Sequence, residues 1–263
     1  MGRIQKITVA SLIVGAVFSI SAQVNAQQFR FRNYSIENNL PDKFVYSINQ
    51  DNDGYLWLST GKGLYKFSGL DFYQVYYPDS LETRTANVFL KDRFGIIWLG
   101  CDDGKVYKIT GNGILEVELN NTRSIGQLLE GPDGNIWAIA QGGFLFSISP
   151  ETSAGSFKKF PINEGYQIFS AIFNSEGELL LGSQDNILVY FLSGDTLAYK
   201  GSIEDFDYAG VNALWQIEGD SYLVGTNSGI LSMEVDGLDR TLSGFENFPD
   251  LEYASVHSFY RDN

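Results

Sequence analysis

Short segments in which apolar and polar residues alternate predict that the chain is built from β-strands. Residues 45–50 alternate in this way, an Asp-Gly pair follows at 53–54, and a second apolar segment occupies residues 56–60. A period of two is typical of a strand with one buried face. An Asp-Gly pair between two such segments favours a hairpin, because the type I′ turn needs positive φ angles. Residues 45–60 are therefore predicted to form an antiparallel hairpin.

The hairpin sequence recurs along the chain. The copies read "QDNDGYLWLST" (50–60), "KDRFGIIWLGC" (91–101), "EGPDGNIWAIA" (130–140), "FNSEGELLLGS" (173–183) and "QIEGDSYLVGT" (216–226). They place Trp57, Trp98, Trp137, Leu180 and Leu223 at one position, which we call the tryptophan position, with spacings of 41, 39, 43 and 43 residues. This period is typical of propeller blades rather than of helical solenoids.

Two positions in each copy are predicted to need positive φ angles, which glycine adopts most readily. The first is in the hairpin turn, at Gly54, Gly95, Gly134, Gly177 and Gly219. The second follows the next strand, at Gly63, Gly104, Gly143, Asn186 and Gly229. Asparagine tolerates this conformation best among the other residues.

Each copy continues into a third strand and, in most copies, a fourth. The third strands read "LYKF", "VYKI", "FLFSI", "ILVYF" and "ILSM", and fourth strands read "FYQVYY" and "FKKF". Four strands in about 42 residues predict an all-β fold, a β-propeller of four-stranded antiparallel blades. The tryptophan positions 57, 98, 137, 180 and 223 mark about five complete blades within a repeat domain over residues 27–263.

Both ends of the repeat domain predict an incomplete propeller, an open arc. Residues 29–35 are interpreted as an outer strand without a blade of its own. Residues 245–263 are predicted to supply an outer strand and then the start of a sixth blade, truncated after about one strand. In that segment Val256, Ser258, Phe259 and Asp262 match Val45, Ser47, Ile48 and Asp51.

The repeat also suggests roles for the less common residues. Leucine replaces tryptophan in two copies and packs but cannot stack on a sugar ring, so the tryptophans are predicted to pack between blades rather than to bind sugar. Trp215 stands where other copies are mostly aliphatic, which favours burial. Cys101, the single cysteine, is predicted to be a small strand residue and cannot form an intrachain disulfide.

The N-terminus has the features of a signal peptide over residues 1–26. Arg3 and Lys6 precede an apolar run over residues 7–20, and small residues lead to a predicted cleavage after Ala26. The alternative is an uncleaved anchor, but the run is shorter than the roughly 20 residues that span a bilayer. The sequence thus predicts export to the periplasm or the extracellular space, with no membrane insertion of the mature chain.

Charge and residue supply restrict the chemistry. A net charge of −14 with no basic stripe excludes nucleic acid as a partner. "DNDG" (51–54) lacks the later ligands of a calcium loop, so no metal and no cofactor are predicted. His257 is the only histidine, and no spacing selects an acid–base pair among the 32 carboxylates. No catalytic residue is predicted, and the ligand-binding residues stay unknown.

The first copy, "NYSIENNLPDKFVYSINQDNDGYLWLSTGKGLYKFSGLDFYQVY", resembles the opening repeat of the two-component regulator propeller family, "V-x-S-I-x-x-D-x-x-G-x-[IL]-W-[IL]-G-T-x-x-G-L". The resemblance covers residues 29–263 and weakens in the last two copies. It implies an extracytoplasmic sensor of carbohydrate fragments, followed in the parent protein by a transmembrane segment and a histidine kinase or transcriptional output domain.

The expected function is therefore that of a non-enzymatic sensor propeller in a two-component signalling regulator. Its expected partners are an oligosaccharide ligand and the remaining blades and signalling domains of the parent protein. Two alternatives stay open at this point. One is a propeller enzyme that acts on polysaccharides, a lyase or a glycosidase, and the other is a protein-interaction scaffold.

Overall fold

The computed structural model of the chain describes residues 32–75, 85–111, 113–151, 157–162, 166–194, 196–204, 206, 210–236, 239–244 and 254–259. The chain divides into two compact units, residues 1–35 and 36–263. The predicted signal peptide lies outside the described residues. Of the outer strand predicted over 29–35, residues 32–35 form no strand, so that prediction is wrong there, and residues 29–31 lie outside the described part.

The described residues of the second unit form five four-stranded antiparallel sheets, each with its strands in chain order. The first sheet contains β1 (Val45–Gln50), β2 (Leu56–Thr60), β3 (Gly63–Phe67) and β4 (Phe72–Gln74). The second contains β5 (Ala86–Lys91), β6 (Ile97–Cys101), β7 (Val106–Thr110) and β8 (Gly113–Val117). The third contains β9 (Ile125–Glu130), β10 (Ile136–Ala140), β11 (Phe144–Ile148) and β12 (Phe157–Pro161).

The fourth sheet contains β13 (Ser170–Phe173), β14 (Glu178–Gly182), β15 (Ile187–Ser193) and β16 (Thr196–Ile203). The fifth contains β17 (Ala213–Glu218), β18 (Ser221–Thr226), β19 (Gly229–Asp236) and β20 (Asp239–Gly244). This architecture confirms the predicted all-β fold of four-stranded blades. The described part of the chain has one 3₁₀ turn, Ile36–Asn38, and no helix long and apolar enough to cross a membrane.

The first strands of successive blades are neighbours, from β1 through β5, β9 and β13 to β17. They are therefore the inner strands of the propeller, and the fourth strands are the outer ones. In each blade the start of the inner strand pairs with the end of the second strand, as in Val45 with Thr60 and Ala86 with Cys101. The starts of the inner strands thus lie at one mouth, together with the turns between second and third strands.

The hairpin turns at the opposite mouth differ from the predicted type. Gly54 has a φ of 87°, but Asn52 and Asp53 do not have positive φ angles, as the central residues of a type I′ turn would. The Gly54 N–H donates to Asp51 O, and the Asp51 N–H donates to Tyr55 O. This is a three-residue loop in which the left-handed glycine follows an ordinary turn, so the hairpin prediction is confirmed and the type I′ prediction is wrong.

The core lies between blades, and the tryptophan position supplies its largest side chains. Trp98 and Trp137 are fully buried, and Trp57 and Leu180 are buried as well. Each packs on the following blade: Trp57 near Phe89 and Leu99, Trp98 near Leu128 and Ile136, Trp137 near Leu179 and Leu181, and Leu180 near Leu214 and Tyr222. The predicted packing between blades is confirmed.

Two further predictions need correction. Asn186 does not have a positive φ, unlike Gly63, Gly104, Gly143 and Gly229. Its side-chain oxygen instead accepts a hydrogen bond from the hydroxyl of Ser183, which holds the turn with ordinary backbone angles. The outer strand of the fifth blade is β20, so its placement within residues 245–263 is wrong, because the chain already pairs with β19 before that segment.

The start of a sixth blade is present at residues 254–259. The Val256 N–H donates to Thr226 O at 2.8 Å, just as the Val211 N–H donates to Ser183 O at 2.8 Å. Residues 254–259 therefore contact the fifth blade in the same way as the start of the fifth blade contacts the fourth. Asp262 lies outside the described residues.

Candidate functional site

In the first three blades, one residue of the inner strand is set apart by a β-bulge at the mouth where these strands begin. In the first three blades, the pairing register shifts around Tyr46, Asn87 and Gly126, which leaves these residues without a cross-strand partner. A bulge redirects a side chain and is common beside functional sites. The equivalent residues of the later repeats are Phe169, Asn212 and His257. We call these six residues the rim.

The rim is a mixture of aromatic and amide groups beside buried aliphatic ones. Tyr46 and Phe169 are large exposed side chains, and Phe44, next to the first of them, is exposed as well. His257 is also exposed, whereas Asn87 and Asn212 are half-buried. The flanking Ile125 and Val211 are fully buried in the core. Solvent-facing aromatic rings at such a mouth offer flat apolar surfaces to a ligand.

Hydrogen bonds hold the rim amides in place across neighbouring blades. The Asn87 amide donates to the Ser124 hydroxyl of the third blade at 2.7 Å. The Asn212 amide donates to Asn227 Oδ1 at 2.8 Å, and the Ser255 hydroxyl donates to the same oxygen at 3.2 Å. Ser255 Oγ also lies 2.9 Å from His257 Nε2. The rim amides thus belong to two separate polar groups, one around Asn87 and one that joins Asn212 to His257.

Charged side chains also lie near the rim. The turns between second and third strands contain Lys62, Asp102, Asp103, Lys105 and Asp185. Arg123 lies in the loop that leads into the third inner strand, with its guanidinium 5.0 Å from the centroid of the Phe144 ring. Gln141 N–H donates to Ser124 O beside it. The surroundings of the rim therefore offer ring contacts and hydrogen bonds beside charged groups.

The opposite mouth carries a repeated carboxylate–indole pair. Asp51 Oδ2 accepts a hydrogen bond from Trp57 Nε1 at 2.9 Å, and its Oδ1 accepts the Asp53 and Tyr55 N–H groups. Asp92 and Trp98 repeat the indole bond at 2.9 Å. Burial alone would raise the pKa of Asp51, but hydrogen bonds from Lys66, Trp57 and the Tyr55 N–H leave that pKa below its ordinary value. These pairs order the turns, and the sequence reasoning missed them although the Asp-to-Trp spacing of six residues was visible.

A cleft of about 120 Å³ lies between the fourth and fifth blades. Its charged groups are neutralised in part, because Lys200 Nζ lies 2.6 Å from Glu178 Oε1. The hydrogen bond with Glu178 raises the pKa of Lys200, and burial raises the pKa of Tyr222. Tyr222 is further tied to Asn174, whose amide lies 3.4 Å from its hydroxyl. This cleft has the character of a structural contact between blades.

The less common residues discussed from the sequence lie mostly in the interior of the blades. Cys101 is buried in β6, as predicted for a small strand residue. Trp215 is half-buried on β17, less than predicted. The buried tryptophans have no ring face open to a sugar, whereas the rim aromatics do. Within the described ranges, no group of three or more histidine, cysteine, aspartate or glutamate residues is arranged to hold a metal ion.

Four-stranded antiparallel blades joined along their inner strands define a β-propeller, and solved structures share this fold. Virginiamycin B lyase from Staphylococcus aureus has a TM-score of 0.65 at 17% identity, over 81% of this chain and 73% of that one. Two extracellular domains of hybrid two-component systems from B. thetaiotaomicron have TM-scores of 0.62 and 0.50 at 17% and 16% identity. They are matched over 80% and 85% of this chain, which spans 31% and 36% of their lengths.

Residues 39–62 match the family model described as the two component regulator propeller. That segment is the first inner strand, its turn and the second strand, and it contains Asp51 and Trp57. The chain therefore carries the repeat of the two-component regulator propeller family, which confirms the resemblance. No curated protein matches the chain in sequence.

Proposed function

We propose that the chain is the ligand-sensing propeller of an extracytoplasmic two-component regulator and that its rim binds an oligosaccharide. The observation that carries the proposal is the rim itself. Six equivalent positions at the starts of the inner strands or just before them hold Tyr46, Asn87, Gly126, Phe169, Asn212 and His257. The turns of the opposite mouth instead repeat their glycine and, in two blades, their Asp–Trp pair. Where the residue type differs between equivalent positions of the blades, the fold does not require it, and the side chain is available for a ligand. Where the same residue type recurs in the blades, it serves the fold.

Sugar chemistry fits these side chains. A pyranose ring presents an apolar face that packs on Tyr46 or Phe169 and hydroxyl groups that both donate and accept. The amides of Asn87 and Asn212 also donate and accept, so each can bond two hydroxyl groups.

A sensor role is supported by the family repeat and by the origin of the similar folds. Two of the similar structures are extracellular domains of hybrid two-component systems. An extracytoplasmic location agrees with the signal-peptide features of residues 1–26, which stay a prediction. Signal output would belong to the parent protein, because the described residues form propeller blades.

An enzymatic role is the second candidate because virginiamycin B lyase shares the fold and His257 lies beside Ser255 at the rim. At 17% identity the likeness concerns the fold alone. Among the described residues, no carboxylate forms a hydrogen bond with His257, so a serine nucleophile there would lack the group that orients the histidine. We therefore propose binding without turnover.

Calorimetric titration of the purified chain with size-defined oligosaccharides from pectin, xylan, starch and hyaluronan tests the proposal. At least one series should bind, and Tyr46→Ala and Phe169→Ala should weaken that binding about tenfold or more, as expected for loss of a ring contact. Tyr73→Ala, an exposed tyrosine on the outer strand β4, is the matched control and should bind like wild type.

Two results would overturn the proposal. One is unchanged affinity in both rim variants while the chain binds an oligosaccharide. The other is release of shorter or unsaturated fragments during the titration, which would identify an enzyme instead of a sensor.

A further inference from the structure

A second cleft, of about 230 Å³, lies between the third and fourth blades, on the opposite mouth from the rim. It is lined by Asp133, Asn135, Trp137, Ser147, Lys158 and Phe160, among others. Its floor is aromatic, since the Trp137 and Phe160 rings are stacked with centroids 5.1 Å apart. The equivalent places in the first two blades show how this cleft differs from its repeats.

In the first blade, a lysine of the third strand fills the equivalent place. Lys66 pairs across the sheet with Trp57, and its ammonium lies 2.9 Å from Asp51 Oδ2. The same ammonium lies 4.1 Å from the centroid of the Tyr55 ring and 5.1 Å from that of Trp57. The carboxylate, the indole and the ammonium therefore form one compact unit.

The second blade keeps a lysine at the same position. Lys108 pairs with Trp98, and its ammonium lies 5.4 Å from the centroid of that ring. It also donates to the carbonyl oxygen of Pro150. In both blades the chain itself thus supplies a cation over the tryptophan.

The third blade keeps the carboxylate and the indole but replaces the lysine by serine. Trp137 pairs with Ser147, and Asp133 accepts the indole N–H at 3.4 Å. Gly131 stands at the position that Asp51 and Asp92 hold in the first two blades. A Cβ placed on Gly131 would lie 2.5 Å from Asp133 Oδ1, so the Asp133 carboxylate takes the place of the usual turn carboxylate. None of the described cations lies within ion-pair distance of Asp133.

Ser147 offers a polar group to the cleft. Its side chain is only 8% exposed, and its hydroxyl has no hydrogen-bond partner among the described residues. A hydroxyl at the cleft wall can both donate a hydrogen bond to a ligand and accept one from it. Lys158 also lines the cleft, and its ammonium lies 5.4 Å from the centroid of the Phe160 ring.

We propose that this cleft binds a small molecule that carries a primary ammonium group and hydroxyl groups, the chemistry of an amino sugar. The ligand's ammonium takes the place that Lys66 occupies in the first blade and pairs with Asp133. Its hydroxyl groups bond Ser147, Asn135 and Lys158, and its apolar face lies beside Phe157 and Phe160. The net charge of −14 adds a general attraction for a cationic ligand.

The probe is D-glucosamine at about pH 6, well below the ordinary pKa of an amine. The readout is the indole N–H signals of the four tryptophans in a ¹H–¹⁵N NMR spectrum, assigned by Trp→Phe substitutions. The Trp137 signal should shift saturably, while those of Trp57 and Trp98 stay in place. N-acetyl-D-glucosamine and D-glucose, which lack the ammonium, should leave the Trp137 signal unmoved at the same concentrations.

Two variants and a matched control sharpen the test. Ser147→Lys restores the residue of the first two blades and should abolish the glucosamine shift. Asp133→Asn removes the charge but keeps an acceptor, and should weaken binding about tenfold or more, as for loss of a charge-assisted hydrogen bond. Asp53→Asn, at the equivalent turn position of the first blade, should bind glucosamine like wild type.

The proposal is wrong if glucosamine does not move the Trp137 signal, or if the acetylated and neutral sugars move it equally. An unchanged affinity in Asp133→Asn would also overturn it, and this variant decides the matter even if Ser147→Lys does not fold. The proposal does not depend on the rim, so Tyr46→Ala should show the wild-type shift.

Discussion

Asp92 shows at the scale of one residue why the repeat pairs an aspartate with a tryptophan. Its buried carboxylate accepts the Phe94 and Ile96 N–H groups at 3.0 and 2.9 Å and the Trp98 indole at 2.9 Å. The turn and the inter-blade core are thereby fixed by one side chain. Since Trp98 is fully buried, its indole has no access to water if the carboxylate is removed.

Asp92→Ala is expected to lower the free energy of unfolding by about 1–3 kcal/mol, the cost of a buried donor without a partner. Asp133→Ala should cost less than about 1 kcal/mol, because Asp133 is exposed and lies farther from its indole. Urea unfolding followed by tryptophan fluorescence measures both. Equal losses in the two variants would show that the indole bond does not stabilise the fold.

At the scale of the strand, a second kind of glycine controls how closely blades approach. A Cβ on Gly182, at the end of β14, would lie 2.6 Å from the carbonyl oxygen of Val211 in the fifth blade. Gly100 and Gly225 face Ile125 and Val256 of their following blades in the same way. These glycines have no positive φ, so close approach of the next inner strand, rather than backbone conformation, requires them.

Gly182→Ala should therefore destabilise the chain by about 1–3 kcal/mol, since the added methyl forces the fourth and fifth blades apart. Gly111→Ala is the matched control, because a Cβ there meets nothing within 4 Å, and it should change stability by no more than about 0.5 kcal/mol. Differential scanning calorimetry measures the stability of both variants relative to wild type. A neutral Gly182→Ala would mean that the blades separate without cost.

Strands and blades could be predicted from the sequence because their signals are local. A period of two, a turn glycine and a repeat near 42 residues were sufficient for the hairpins and the third strands. The fifth outer strand was misplaced because "DRTLSG" (239–244) lacks the apolar alternation used to find it. The conformation of Asn186 was wrong because a neighbouring hydroxyl, which the pattern does not show, holds its turn.

The rim could not be predicted because it is defined by register. Tyr46, Asn87 and Gly126 have no common residue type, and only the pairing of the strands shows that they are equivalent. The Ser147 cleft likewise appears only when each third strand is aligned with its tryptophan. Local sequence signals therefore describe the blades, and the comparison of blades describes the candidate sites.

At the scale of the whole molecule, the two mouths of the propeller have different chemistry. The inner strands begin at the rim, where aromatic and amide side chains face solvent. The opposite mouth contains the turn carboxylates and the inter-blade clefts. The binding site of a ligand can therefore be located by finding the mouth at which the ligand changes backbone hydrogen exchange.

Hydrogen exchange measured by mass spectrometry, with and without the oligosaccharide that binds in calorimetry, tests the central claim of rim binding most directly. Slower exchange is expected in peptides that cover residues 44–48, 166–171 and 210–214, with no change at the turns 51–55, 92–96 and 174–178. Protection confined to those turns, or absent from all three rim segments, would contradict it.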